Sequence, residues 1–192
     1  MATKQPRSRK SDDSSTDDAI ALLTADHESV KALFKRFEKL TEQEGAEDEM
    51  AQLVQRICGE LTVHATIEEE IFYPAVREAI DDDDLMDEAD VEQASAKALI
   101  AELEAGSPGE DQYNAKVTVL SEYINHHVKE EEGEMFPKAR KAVDTKVLGV
   151  ELVERKNELM SEMGLSEVEE DEEDAIGSLP QKASDDKPAA RK

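Results

Sequence analysis

His64-Ala-Thr-Ile-Glu68-Glu69-Glu70-Ile-Phe-Tyr-Pro74 decides how this chain is read, because its pattern occurs twice. Further on, His127-Val-Lys-Glu-Glu131-Glu132-Gly-Glu-Met-Phe-Pro137 repeats it as H-x-x-x-E-E-x-x-x-[YF]-P. Upstream of each copy lies a second matching segment, Asp26-His27-x-x-x-Lys31-x-Leu33 before the first and Glu92-Gln93-x-x-x-Lys97-x-Leu99 before the second. The middle of the chain therefore reads as two copies of one helix pair. A His and a Glu four residues apart project from the same helix face one turn apart, so both can reach a single centre. Proline inside a helix costs about 3 kcal/mol. Its recurrence at one offset, as Pro74 and Pro137, predicts a shared kink or break beyond that centre.

Working outward, the chain reads as helix over roughly 17–43, 47–80, 84–105 and 111–142, with a shorter fifth helix over 145–163. Breaks fall at Glu44-Gly45, Asp81–Asp84, Gly106-Ser107-Pro108-Gly109 and Gly164. Asp81–Asp84 lacks the spaced ligands and glycine of a calcium loop and reads as a turn and helix N-cap. No run of alternating β-branched residues suggests a strand. Short connections make neighbouring helices antiparallel. The expected fold is all-α, an up-down-up-down four-helix bundle with a short C-terminal fifth helix. Leu148, Leu152, Leu159 and Met163 on the fifth helix either cover the bundle or form a dimer contact, which leaves monomer and homodimer both open.

Each apolar stripe is interrupted. The first helix places Ile20, Leu23, His27, Val30, Phe34 and Phe37 on one face. The second gives Met50, Leu53, Ile57, Leu61, His64, Glu68, Ile71 and Ala75. The third gives Met86, Ala89, Gln93, Ala96, Ile100 and Leu103, and the fourth Tyr113, Val117, Leu120, Ile124, His127, Glu131 and Met135. A single histidine on such a face is most often a core residue with a hydrogen-bond partner. Two glutamates aimed at one interior are a different matter, because an unpaired buried carboxylate costs several kcal/mol. No Lys or Arg lies on these stripes to neutralise them. A cation between the helices resolves the conflict.

Composition bounds the rest. The chain has 192 residues, 48 acidic and 23 basic, for a formal net charge of −25. Such acidity argues against nucleic-acid binding and against docking on anionic membranes. No apolar run is long enough to span a bilayer, and the first residues carry no secretory h-region. One cysteine, Cys58, excludes an internal disulfide, reads as buried rather than reactive, and fits a reducing, cytoplasmic compartment. The expected domains are a disordered basic tail over 1–16, the bundle with its extension over 17–163, and a disordered tail over 164–192. That last tail has seven acids within Glu167–Asp174 followed by a Pro/Ala/Lys segment. Phe72, Tyr73 and Phe136 read as packing residues near the kink, with Tyr73 in reach of a hydrogen bond to the pocket. Glu69, Glu70, Glu130 and Glu132 flank the bridging candidates and read mostly as solvated, the alternative being that one of them supports a ligand from behind.

Taken together, the two H-x-x-x-E motifs, their shared flanks and Asp26-His27 resemble the hemerythrin-like family, whose HHE domains carry a histidine on helix one, H-x-x-x-E on helix two, a histidine on helix three and H-x-x-x-E on helix four. The resemblance covers roughly residues 17–142. It implies His27, His64 and His127 as imidazole ligands, with Glu68 and Glu131 as carboxylates bridging two irons. The mixed N/O donor set suits non-haem iron and also accepts manganese or zinc. The departure is Gln93, which stands where the family has its helix-three histidine; the oxygen-carrying members place another histidine one turn later, here Lys97. Gln93 either ligates weakly, leaves its place to a water, or compromises one iron site. His126 sits about 100° around the helix from His127, and its five-residue spacing to Glu131 resembles the H-x-x-x-x-D of the oxygen carriers; the repeat register favours His127.

These features imply an iron-binding protein, with two irons, that binds, carries or senses O2, NO or iron. The first alternative is an enzyme in which the same centre reduces peroxide or NO, for which the sequence shows no dedicated proton donor. The second is a metal-free interaction module that has lost its site.

Overall fold

The structure is a computed structural model that describes residues 18–165. The tails expected to be disordered, 1–16 and 164–192, lie outside the described residues apart from Gly164 and Leu165. Asp18 opens helix α1 (Ala19–Thr41), its Oδ1 accepting hydrogen bonds from the Ile20 and Ala21 amides at 3.1 and 3.2 Å. Helix α2 (Glu47–Ile67) continues through a π-turn, π1 (Glu68–Phe72), into α3 (Tyr73–Ala79). After Asp82, which caps the next helix, come α4 (Asp83–Glu104) and α5 (Tyr113–Glu130), then a second π-turn, π2 (Glu131–Met135), and α6 (Phe136–Ala142). Helix α7 (Thr145–Glu162) starts from an Asp144 cap.

The helices α1, α2, α4 and α5 form a closed ring in which α1 packs on α2, α2 on α4, α4 on α5 and α5 on α1. This is the up-down-up-down all-α bundle expected from the short connections, and the described residues include no strand. Helix α7 lies along α1, α2 and π1, so within one chain it covers the bundle. No helix among the described residues is long and apolar enough to cross a membrane. The predicted seams of α1 and α4 are buried at every position, as is that of α5 with π2.

The second rod departs from expectation. Proline does not break the helix beyond the site; a π-turn widens it at the site itself, beginning at Glu68 and, in the other copy, at Glu131. The Tyr73 amide reaches back five residues to the Glu68 carbonyl, and the Phe136 amide to the Glu131 carbonyl. Each proline follows one residue later, near the start of α3 or α6, where a missing N–H is tolerated. The inserted residue also turns the face that enters the core. Phe72, Tyr73 and Val76 are buried where the uninterrupted period predicts Ile71 and Ala75, which are only partly covered.

Two apolar clusters fill the bundle. One joins Phe34, Phe37, Leu53, Ile57, Leu103 and Leu120 with their neighbours; the other joins Leu23, Ile67, Phe72, Met86, Phe136 and Leu152 with theirs. Cys58 belongs to the first, where burial, with help from the Glu104 charge, pushes its thiol up to about 12, so it stays an unreactive thiol. Leu152 brings α7 into the second and is fully buried, whereas Val150 on the same helix is 56% exposed. Leu152→Ala should therefore cost about 2–5 kcal/mol and Val150→Ala no more than about 0.5 kcal/mol in urea denaturation. Equal, small losses would mean that α7 is not docked on the bundle.

Candidate metal centre

Between the two apolar clusters sit the six buried polar residues His27, His64, Glu68, Gln93, His127 and Glu131. Each four-helix rod contributes: α1 gives His27, α2 with π1 gives His64 and Glu68, α4 gives Gln93, and α5 with π2 gives His127 and Glu131. The five sequence candidates thus converge at one level, and Gln93 joins them. His126 does not; its side chain is 59% exposed on the outside of α5.

Four ligand atoms draw closest together. One ligand atom each of His27, His64, Glu68 and Glu131 lie within 4.8 Å of one another. His27 Nε2 lies 3.2 Å from His64 Nε2 and 3.2 Å from Glu131 Oε2, and His64 Nε2 lies 3.2 Å from Glu68 Oε1. The two carboxylate oxygens are fully buried and accept no hydrogen bond. A buried acceptor left without a donor is expensive, and two facing one point mark a place for positive charge.

The remaining ring nitrogens explain which lone pairs face that point. His27 Nδ1 is 2.8 Å from Glu132 Oε1, His64 Nδ1 is 3.4 Å from Asp26 Oδ2, and His127 Nδ1 is 2.8 Å from Glu92 Oε2. An ionised carboxylate only accepts, so each Nδ1 carries a proton, and in the neutral, ligating form each Nε2 is left to present a lone pair inward. Lys156 in turn bonds Asp26, and Lys31 lies 3.7 Å from Glu132. The Phe136 ring lies parallel to His27, 5.8 Å away, and holds its plane.

The other half of the centre is organised by Tyr73. Its hydroxyl donates to Glu131 Oε1 at 2.8 Å, and the Tyr73 oxygen also lies 3.2 Å from His127 Nε2 and 3.4 Å from Glu68 Oε2. Gln93 Nε2 donates to Glu68 Oε2 at 2.7 Å and to the Tyr73 oxygen at 3.0 Å, which leaves Gln93 Oε1 buried without a donor. A cavity of about 1020 Å³ reaches the three histidines, with Val30, Leu61, Ile124 and Val128 among its walls.

The charges are tuned against each other. Burial raises the Glu68 carboxyl, and the neighbouring Glu131 charge raises it further. Burial also works against ionised Glu131, but His27 at 3.2 Å and the histidine charges win and hold it down to about 2. Burial opposes protonation of His127, yet the bond to Glu92 and the charges of Glu131 and Glu68 raise it to about 9. His64 moves the same way against its burial, under Glu68 and Asp26. Burial and both carboxylates keep Tyr73 a neutral phenol well above the usual range. Protons thus supply the missing positive charge when no cation does.

Tyr73 makes the hydrogen bond to the pocket that the sequence put within its reach, and Glu132 takes the supporting place the sequence left open, whereas Asp26, Glu92 and Lys156 as outer supports are positions that reading the sequence missed. The available signal was the alignment of the two copies, which puts Asp26 beside His27 and Glu92 beside Gln93 at equal offsets. A testable consequence concerns the metal-free chain. Because the folded pKa of His127 is raised, the stability it lends is complete below about 6.5 and fades as pH rises through about 9. The urea midpoint of chelator-treated protein should therefore fall between pH 7 and 10. His127→Gln should flatten that fall, and an unchanged slope would show that His127 does not carry it.

Comparison with known proteins bears on the family and the fold. The family described as the hemerythrin HHE cation-binding domain matches residues 18–139. A crystal structure of a hemerythrin HHE cation-binding domain-containing protein from Mycobacterium kansasii shares the fold, with a TM-score of 0.64, 21% identity, and coverage of 76% of this chain and 88% of that one. A protein named DNA nickase from Nostoc sp. (strain PCC 7120 / SAG 25.82 / UTEX 2576) is 29% identical over 119 residues, which are 62% of this chain. The matched segment spans 32% of that relative's length. With the match covering most of the bundle and the histidines and glutamates gathered at its centre, the chain belongs to the hemerythrin HHE cation-binding domain family.

Proposed function

We propose that the chain is an iron-binding protein whose centre holds two irons and takes up O2, NO or peroxide. The observation that carries this reading is the pair of buried, donor-less carboxylate oxygens, Glu68 Oε1 and Glu131 Oε2, facing the inward nitrogens of His27 and His64. His27, His64, Glu68 and Glu131 would hold one ion. His127 with the second oxygens of Glu68 and Glu131 would hold the other, and the carboxylates would bridge them. Gln93 Oε1, already without a donor, can turn to that second position if its amide flips. The N/O donor set supports iron, and the same donors accept manganese or zinc. An iron pair with an open position supplies binding or reduction of small diatomic ligands and peroxide. The chain's residues supply the rest: the cavity admits the ligand, the Nδ1 partners hold the imidazoles, and apolar walls limit water.

A second reading, that the centre turns over peroxide or NO, gains from Tyr73. Its hydroxyl is a neutral, buried proton donor directed at the centre, the element that the sequence reading found missing. DNA nicking, named for the longer cyanobacterial protein, is not part of the proposal, because a net charge of −25 repels a polyanion. The single cysteine, a free buried thiol, supports a cytoplasmic place.

Metal analysis of untagged protein, read with its visible spectrum, should return two irons per chain. Glu68→Ala or Glu131→Ala should lose metal while Glu69→Ala keeps it; equal content in all three would remove the ligand assignment. Gln93→His should tighten metal binding by about tenfold or more, and unchanged affinity would show that position 93 does not ligate. Tyr73→Phe should retain iron but lose peroxide turnover if the enzyme reading holds. Undiminished turnover would remove Tyr73 as the proton donor.

A further inference from the structure

His126 is the one histidine of the four that the buried centre leaves out, yet it is not isolated. Its Nε2 lies 3.3 Å from Glu92 Oε1 and 3.3 Å from Glu130 Oε1. All three ligand atoms fall within 4.8 Å of one another. A four-coordinate ion with bonds near 2.0–2.1 Å separates its ligands by about 3.3–3.4 Å, so the spacing fits. As a hydrogen-bonded pair the arrangement is poor. One ring N–H shared between two carboxylates at equal distance serves neither well, and neither contact has hydrogen-bond geometry.

The surroundings make this more than surface acidity. Each supporting carboxylate of the buried centre ends in a counter-charge. Asp26 ends on Lys156 and Glu132 on Lys31, but Glu92 ends on His126. Some exposed acids nearby pair with Arg or Lys, as Glu70 does with Arg155 and Glu69 with Lys97. Among the described residues no lysine or arginine is paired with Glu92, and a cation accepted from solvent would give its outer oxygen the counter-charge that Asp26 and Glu132 receive from lysines. Glu92 also belongs to both places: Oε1 faces His126, and Oε2 holds His127 Nδ1. Just inside it lies a small cavity of about 30 Å³, bounded by Glu92, Gln93, His127 and Glu68. That is room for a water-sized occupant beside Glu92 and the buried ligands.

We propose that His126, Glu92 and Glu130 form a second, solvent-facing site for a divalent first-row cation, and that metal reaches the buried centre by way of it. The binding part stands on the surface geometry; the loading part rests on the proposed metal centre. One nitrogen and two carboxylates leave positions open for water, which suits a site that captures and releases. A chain of net charge −25 concentrates divalent cations near it.

The test uses the full chain, stripped with chelator and titrated with Co(II) alone, with bound metal counted and loading of the buried centre followed by visible absorption. His126→Ala and Glu130→Gln change only the outer cluster; Glu92 is left alone because it also holds His127. Each variant should bind one Co(II) fewer than the parent chain. Each should also load the buried centre about tenfold more slowly, to the same final occupancy. Equal stoichiometry would overturn the outer site, and an extra ion with unchanged loading rate would overturn the route through it. Glu68→Gln combined with Glu131→Gln separates this from the proposed function. If that chain still loses an ion on His126→Ala, the outer site stands whatever the buried centre does. If the parent chain loads nothing internally, the proposed function fails on its own.

Discussion

Two carboxylates, Glu68 and Glu131, are fully buried in the middle of a four-helix bundle with no lysine or arginine beside them. Most of the polar architecture follows from that constraint. Positive charge must come from imidazoles that are protonated or from a cation they hold, and every imidazole must then be kept from turning away. The structure does this with alternating chains of charge that run outward. Glu131 meets His27, then Glu132, then Lys31; Glu68 meets His64, then Asp26, then Lys156. Both chains run from buried carboxylates to part-exposed side chains, where charge is solvated cheaply. Loss of an inner member would strand its neighbour, which is why the centre behaves as a unit and not as a set of independent contacts.

The duplicated helix pair explains which chains resemble each other and where they diverge. Asp26 supports His64 in one half as Glu92 supports His127 in the other, and Lys31 lies near Glu132 as Lys97 bonds Glu69. The symmetry breaks where His27 has Gln93 as its counterpart. Glu69, with no imidazole to hold, is left to Lys97 alone. The break is matched by a second one: Phe136 stacks on His27, whereas its counterpart Tyr73 brings a hydroxyl to Gln93, His127 and both glutamates. The half without the imidazole has a phenol in its place. This pairing argues against a decaying site, because random loss of a ligand gives no reason for a polar group to enter the same buried volume.

The sequence made the bundle, the seams and the five inward His and Glu residues legible because each rests on short-range spacing. A period of 3.6 residues and two matching motifs suffice to put His64 beside Glu68 and His127 beside Glu131. What it concealed depends on backbone register and on distant partners. Glu132 reads as one acid in a run of solvated ones, and nothing local distinguishes it from Glu130, yet it lies on His27, 105 residues away in sequence. Lys156 is equally ordinary until α7 folds over α1 and brings it to Asp26.

The π-turns were hidden for the same reason, and they matter most for Tyr73. In a regular α-helix, residues five apart point about 140° away from each other, so Glu68 and Tyr73 could not share a target. The wider turn closes that angle: the Tyr73 amide bonds the Glu68 carbonyl, and the two side chains then meet at 3.4 Å. One inserted residue therefore does two things at once. It gives the proline that follows a place near the start of a new helical segment, and it turns an aromatic residue from packing toward the centre. In the second copy the same turn brings Phe136, without a hydroxyl, against His27. The backbone device is shared by both halves, and the side chain it delivers decides what each half of the centre can do.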